Sequence, residues 1–437
     1  MASPLLGLPD ELLQDILLKL QKKDIKTARL TCTRLAGNGA HHLFKRIYFA
    51  PRRKVMRDFK SITSNPVFSK SVEELVYDAR QFVAHDFHEG DPSECAFGCT
   101  RNPTPAKRCG WQAMRFSKSG SKDIIRLGRN YNGLYADQQA ILENGNDGQL
   151  LREGLHRMPR ISTLTLRDDF QFNFDYNSSF PCAHDWYVRR TSEEFGISVH
   201  PSFCIFKNDP SQAGDVHSCD FRGVTGLYKA LALANVKLLN FCAGFPVAAV
   251  LPPQVLTMPL FPGPTLSHQL TTVEIEIDAN SSLSRTTVQS QQHAPDIILS
   301  SFPDFLSSSK LLKRLCIRGE SYHYSVLWIT FFEGLQWPQL KSLELSGVTI
   351  TYDELENLVS MHRQSLRELT MGSIHLISGK SKVLGWDKMT KELGEYLTLN
   401  IVSLVGLMED PEDGGTSFYL EDEDHQGLAR NLMGQCS

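Results

Sequence analysis

Apolar residues in the first fifty positions recur at helical spacing. Leu12, Leu13, Ile16, Leu17 and Leu20 cover an arc of about 140° at ~100° per residue, with Leu18 alone on the far side. Pro9 stands where a helix can begin, because an N–H there would lack an intrahelical partner, and Asp10 and Glu11 suit the positive end of the helix dipole. Asp24 reads as the N-cap of a second helix carrying Ile25, Ala28, Leu30, Cys32 and Leu35, which Gly37 and Gly39 would end. A third short apolar piece runs through Leu43, Phe44 and Ile47. A unit of about 45 residues is near the lower limit for holding a core by itself. Two short neighbouring helices cannot cover so wide an apolar arc, so the surplus must pack against the remaining chain or a partner protein.

Further along, a different pattern recurs: apolar, two spacers, apolar, one spacer, apolar. It occurs at Val72/Leu75/Tyr77, Ile161/Leu164/Leu166, Val236/Leu239/Phe241, Leu270/Val273/Ile275, Leu312/Leu315/Ile317, Leu340/Leu343/Leu345 and Leu366/Leu369/Met371. The last three begin 28 and 26 residues apart, a period and pattern characteristic of leucine-rich repeats. The last two apolar positions alternate as in a strand, both facing the core, while the residue between them faces out. Thr351-Tyr352-Asp353-Glu354 forms a capping box ahead of Leu355, Leu358, Val359 and His362, and Gly223 to Asn235 also has helical spacing, with Leu227, Leu231 and Ala234. The fold class predicted is α/β: three N-terminal helices (residues 1–50), then an irregular leucine-rich-repeat-like solenoid (51–408). An ordinary α/β domain is the alternative.

The first repeats stand far apart, so residues of about 81–148 and 168–222, rich in polar and turn types, are predicted to be insertions on one face of the array. Pro246 to Pro264 contains six prolines and reads as a stiff, non-helical connection. Residues 1–80 carry 15 Lys and Arg against 8 Asp and Glu, whereas residues 400–437 carry one Arg and eight acids between Glu409 and Asp424. The segment 409–437 is therefore predicted to be an acidic, mobile tail. The basic residues of the N-terminal region lie among helix signals without a nucleic-acid-reading motif, and a solvated helix face explains them better.

With 437 residues, 41% of them hydrophobic, the chain can build a core, and no stretch approaches the ~18 uninterrupted apolar residues of a membrane span. Acidic residues interrupt the first apolar run, unlike a secretory leader. Ten scattered cysteines without a CxxC fit reduced thiols, hence a cytoplasmic or nuclear setting. The best metal candidate, His85, His88, Cys95, Cys99 and Cys109, has ligand types suited to zinc, but its spacing matches no standard finger; Cys182, His184, His200 and Cys204 form a thinner cluster. Neither is taken as a site. Gly379-Lys380-Ser381 lacks the preceding glycine of a phosphate loop, and GxSxG, HExxH and GxGxxG are absent from the sequence. The sequence therefore predicts neither an enzyme nor a cofactor.

Leu8-Pro9-Asp10-Glu11-Leu12-Leu13, Ile16-Leu17-Leu18-Lys19-Leu20, Asp24-Ile25 and Leu30-Thr31-Cys32-Thr33-Arg34-Leu35 together resemble an F-box over about residues 5–50. Leu35 stands where F-boxes often have Trp. The resemblance implies docking onto the Skp adaptor and, through it, a cullin scaffold, with Leu8, Pro9, Leu12, Ile16, Leu20, Leu30 and Cys32 supplying the contact. Members of that family often pair the module with leucine-rich repeats, which implies a substrate receptor of an SCF-type ubiquitin ligase. Two alternatives are an adaptor-binding scaffold without a ubiquitination role and, with less support, a metal-dependent enzyme. In a solenoid, Thr165, Asn240, Glu274, Cys316, Glu344 and Thr370 would line the inner curve. Glu274, Glu276 and Glu344 would make that surface acidic and suited to a basic target motif.

Overall fold

The computed structural model describes residues 7–78, 133–167, 222–246, 261–278, 302–320, 327–328, 334–377, 386–395, 397–405 and 429. Its strands are β1 (Arg46–Phe49), β2 (Glu74–Asp78), β3 (Thr163–Arg167), β4 (Asn240–Pro246), β5 (Thr272–Asp278), β6 (Arg314–Glu320), β7 (Leu327–Trp328), β8 (Ser342–Ser346), β9 (Val348–Thr351), β10 (Glu368–Gly372), β11 (His375–Ile377) and β12 (Ile401–Val405). Nine form one parallel sheet in the order β1-β2-β3-β4-β5-β6-β8-β10-β12, so each strand lies beside the next in sequence. The short β7, β9 and β11 follow β6, β8 and β10 and form a second parallel sheet in the order β11-β9-β7.

Two apolar columns run across the large sheet in register. One is Ile47, Leu75, Leu164, Phe241, Val273, Leu315, Leu343, Leu369 and Val402; the other is Phe49, Tyr77, Leu166, Ala243, Ile275, Ile317, Leu345, Met371 and Leu404. Helices Asn146–Leu155, Arg222–Leu233, Phe302–Ser308 and Tyr352–Met361 connect successive strands, and their Leu151, Leu227, Leu231, Phe305, Leu306, Leu355 and Leu358 join both columns in one core. A parallel pair needs a long crossover, and a helix on the apolar face provides it while burying that face. Just before each strand, one carbonyl accepts two N–H groups of the following coil. Lys45, Glu73, Ser162, Leu239, Thr271, Lys313, Lys341 and Arg367 supply these eight carbonyls.

In six of the seven triplets all three apolar residues are buried. The third is displaced by two residues: Leu238, Phe241 and Ala243 are buried, whereas Leu239 is exposed. Phe241 satisfies the pattern in either frame because strand periodicity is two. The small Ala243 disguises the correct frame; the Phe241 ring meets Phe305 at 5.5 Å, and Phe261 stacks on Phe305 at 5.1 Å. Two further triplets escaped notice, Phe44/Ile47/Phe49 at the start and Leu399/Val402/Leu404 at the end. Ile47, expected on a third helix, therefore belongs to β1.

The capping box forms as expected. Glu354 N–H donates to Thr351 Oγ1 (3.2 Å), and Thr351 N–H donates to Glu354 Oε2 (3.1 Å). His362, at the end of that helix, is buried and satisfied at both ring nitrogens. Trp337 N–H donates to Nε2 (3.0 Å), so Nε2 carries no proton and Nδ1 donates to Leu358 O (2.7 Å). Trp337 stacks on the imidazole and donates through Nε1 to Leu306 O, which ties three coils together. At Gly347 (φ +62°) a side chain would collide with the Gly319 carbonyl, so only glycine allows the chain to turn from β8 into β9 this close to the preceding coil.

Gly347→Ala should therefore destabilise the array by about 1–3 kcal/mol, read as a lower midpoint in urea with little change in slope. Burial holds the His362 imidazole below its ordinary value of 6.5, and His41 and His42 shift in the same direction for the same reason. The unfolded chain binds these protons first, so stability is complete above about pH 6.5 and falls as pH drops below it. His362→Gln should lower the plateau and make the loss between pH 7 and 5 shallower in thermal melts.

Candidate adaptor-binding surface

Three helices precede the sheet: α1 (Asp10–Leu18), α2 (Lys22–Ala28) and α3 (Thr33–Phe44). Pro9 is the N-cap of α1, and its carbonyl accepts the Leu13 N–H at 3.1 Å. The second helix is shorter than expected. It begins two residues before Asp24, without a side-chain cap, and stops at Ala28, so Leu30 and Cys32 lie in the following turn and Leu35 on α3. Gly37 and Gly39 do not end a helix but lie inside α3. At Gly39 the reason is packing: an added Cβ would stand 2.7 Å from Arg29 Cγ and 3.1 Å from Ile25 Cγ2, so the missing side chain lets α2 lie against α3.

The helices divide their leucines cleanly. Leu13, Leu17, Ile25, Leu35 and Ala40 are buried and form the small internal core. Leu12 (48% exposed), Ile16 (39%), Leu18 (70%), Leu20 (40%) and Leu30 (89%) remain open to solvent. Leu12, Ile16 and Leu20 follow one another every four residues, hence along one side of α1 and its extension. Among the seven residues expected to meet the adaptor, these three and Leu30 are exposed, as is Pro9; Leu8 and Cys32 are half-buried. Cys32 has a structural task, because its Sγ accepts the Leu35 N–H at 3.5 Å and caps α3. Leu18, omitted from the expected set because it stands opposite the arc, is more exposed than any of the three on the stripe.

Sequence reading also missed the residues that hold the start of α1. Arg34 donates from Nε to Asp10 Oδ1 (2.9 Å) and from Nη2 to Leu8 O (2.6 Å). Asn38 Nδ2 donates to the same Asp10 oxygen (3.1 Å), and Gln14 Nε2 donates to Asn38 Oδ1 (3.2 Å). Hydrogen bonds from Arg34 and Asn38 hold the Asp10 carboxyl below the usual carboxylate range. Arg34 stands within the Leu-x-Cys-x-Arg-Leu string, but its partners lie 24 and 26 residues away. Only the crossing of α1 and α3 brings them together.

The helices are joined closely to the array. Phe44 stacks on Phe68 (4.2 Å between centroids), and the Arg29 guanidinium lies 4.9 Å from the Phe68 ring and 5.5 Å from that of Phe44. Lys45 O then accepts from both Glu73 and Glu74 N–H. The three N-terminal helices are thus continuous with the first coil of the sheet.

On the sheet's other face the register aligns Thr165, Cys242, Glu274, Cys316, Glu344, Thr370 and Ser403. Cys242 replaces the expected Asn240, a consequence of the two-residue slip. The expected acidic surface does not exist as such. Arg314 lies 3.5 Å from Glu274 and 3.3 Å from Glu344, Arg318 lies 2.7 Å from Glu344, and Glu276 is buried. Burial alone would raise the Glu344 carboxyl, but the hydrogen bond and charge of Arg318 outweigh it and keep that carboxyl low. Burial, reinforced by Glu344 and Glu274, pushes the Cys316 thiol far above its ordinary value, so it stays protonated and unreactive.

Both Cys/His clusters and the segment 409–424 lie outside the described residues. Among the described residues there is no grouping of metal-ligating side chains, and no helix is long and apolar enough to cross a membrane. Residues 5–36 match the F-box domain, so the chain carries an F-box. The matched span ends within α3, which continues to Phe44. No curated protein matches the chain. F-box domains typically bind the Skp adaptor.

Arg34→Met should raise amide hydrogen exchange at residues 10–14 at least severalfold while the amides of β3–β6 stay protected. Equal exchange in both proteins would show that Arg34 does not hold this segment.

Proposed function

We propose that this chain is the substrate-receptor subunit of an SCF-type ubiquitin ligase. Its F-box helices grip the Skp adaptor, which links it to a cullin, and its strand array presents a target protein. The observation that carries this reading is the division of the apolar residues of the N-terminal helices into five that are buried and five that stay open to solvent. The array is read as leucine-rich-repeat-like. Short parallel strands in chain order, two in-register apolar columns, helices on the apolar face and a carbonyl relay at every joint are the features of a stacked-coil solenoid. No bond is made or broken by the receptor itself; it raises the effective concentration of a target near a ubiquitin-charged enzyme. Fusion of the docking helices to the first coil favours a fixed distance between the two tasks.

Leu8→Ala with Pro9→Ala should abolish co-purification with the Skp adaptor. Leu12→Glu with Ile16→Glu, at positions already in water, should reduce adaptor affinity at least tenfold without lowering the melting temperature. Full adaptor recovery with both variants would overturn the reading. Adaptor binding without any cullin-dependent change in a protein's abundance would favour the scaffold role instead.

A further inference from the structure

At the edge of the sheet where the strands begin, one residue per coil occupies the same place. These are the residues whose carbonyls receive the paired N–H bonds of the next coil. In the N-terminal half the charges at this edge are neutralised: Lys45 pairs with Glu73 at 3.3 Å, and Arg160 pairs with the same carboxylate. In the C-terminal half three consecutive coils place Lys313, Lys341 and Arg367 there. Lys341 and Ser342 N–H bind Lys313 O at 2.8 and 3.0 Å, and Arg367 and Glu368 N–H bind Lys341 O at 2.8 and 2.9 Å, which fixes the three as a row. Among the described residues none of the three has a carboxylate partner. By contrast Arg314 and Arg318, on the adjoining sheet face, are both ion-paired.

The row borders an open depression of about 470 Å³, lined also by Pro338, Gln339, Gln364 and Ser365. Arg367 donates from Nη1 to Leu366 O (2.6 Å) and from Nη2 to Gln364 O (2.8 Å), so its guanidinium is held in place with other N–H groups left over. Neighbouring strands lie ~4.8 Å apart, so the three positions span roughly 10 Å. Three like charges kept in line without counter-charge cost self-repulsion, and a complementary polyanion relieves it.

We infer that this edge is a docking site for a carboxylate-rich, extended segment of a partner protein. A row favours repeated single charges over one compact anion, because an extended peptide advances ~3.3 Å per residue and offers successive carboxylates to successive coils. The neutral Gln339, Gln364 and Ser365 add hydrogen-bond donors between the cations. Among the described residues no aromatic ring lines the depression, so they provide no stacking platform of the kind a single-stranded nucleic-acid site uses. The site lies on the array, apart from the adaptor-binding helices, and does not depend on ubiquitin-ligase membership.

The test is fluorescence anisotropy of a dye-labelled polyglutamate decapeptide with the full chain, without adaptor. Polyglutamine, a phosphoserine peptide without carboxylates and a single-stranded oligonucleotide of equal length serve as comparisons. Polyglutamate should bind more tightly than all three, and less tightly as salt rises. Lys313→Glu with Lys341→Glu should weaken it more than tenfold, and adding Arg367→Glu should weaken it further. Reversal at the distant exposed Arg57, Lys60 and Lys229 should change it less than twofold. The two-lysine variant leaves the Arg367 hydrogen bonds intact, so lost binding with an unchanged melting temperature reports the surface alone. Equal loss in the distant reversal, or preferred binding of the phosphopeptide or oligonucleotide, would overturn the assignment. Tighter polyglutamate binding after neutralising the eight acids of 409–424 would overturn the external partner in favour of that segment of the chain itself.

Discussion

Parallel strands with a strict side-chain register govern this molecule. Each strand of the large sheet is only a few residues long and contributes two side chains to the apolar columns, too few to hold it in place alone. Stability comes from stacking, because every coil covers the apolar edge of its neighbour and supplies the partner for its peptide groups. The shared carbonyl at each joint aligns the next strand before its first ladder hydrogen bond, so one register passes from β1 to β12. Removing a coil would uncover both an apolar face and a row of unsatisfied peptide groups.

The docking helices rely on the same stack. Their own core is five small or medium side chains, and α3 runs directly into the first strand. The Phe44–Phe68 stack and the Arg29 guanidinium above it convert what could have been a linker into a packed joint. The energetic consequence is that the helices can leave five large apolar residues in water and stay folded, since the array supplies support that their own core does not. An exposed surface of that kind is maintained only where something else covers it.

Electrostatics separate two surfaces of the array that the sequence makes look alike. Alternate residues of β5, β6 and β8 bring glutamates beside arginines across adjoining strands, and these charges cancel. One residue earlier, where the chain enters the strands, three cations meet no carboxylate among the described residues. A charge count along the chain cannot tell these cases apart, because the pairing is decided across coils and not along them.

The strand triplets were legible because a two-residue period with buried ends leaves an unmistakable trace in regular coils such as β6, β8 and β10. The trace fails at Ala243, which is small where the pattern expects a large apolar residue, and at the first and last coils, whose neighbours on one side are different. The F-box was legible as a string of leucines, but its helix limits were not, because Gly39 signals a helix end locally and a close helix crossing globally. From sequence alone came the count and period of apolar positions, the capping box and the surplus of leucines at the N-terminus. These depend on local chemistry and periodicity. Only the tertiary structure decided which leucines face water, that Arg34 holds Asp10, and which charges are paired, because each of those outcomes depends on contacts between residues far apart in the chain.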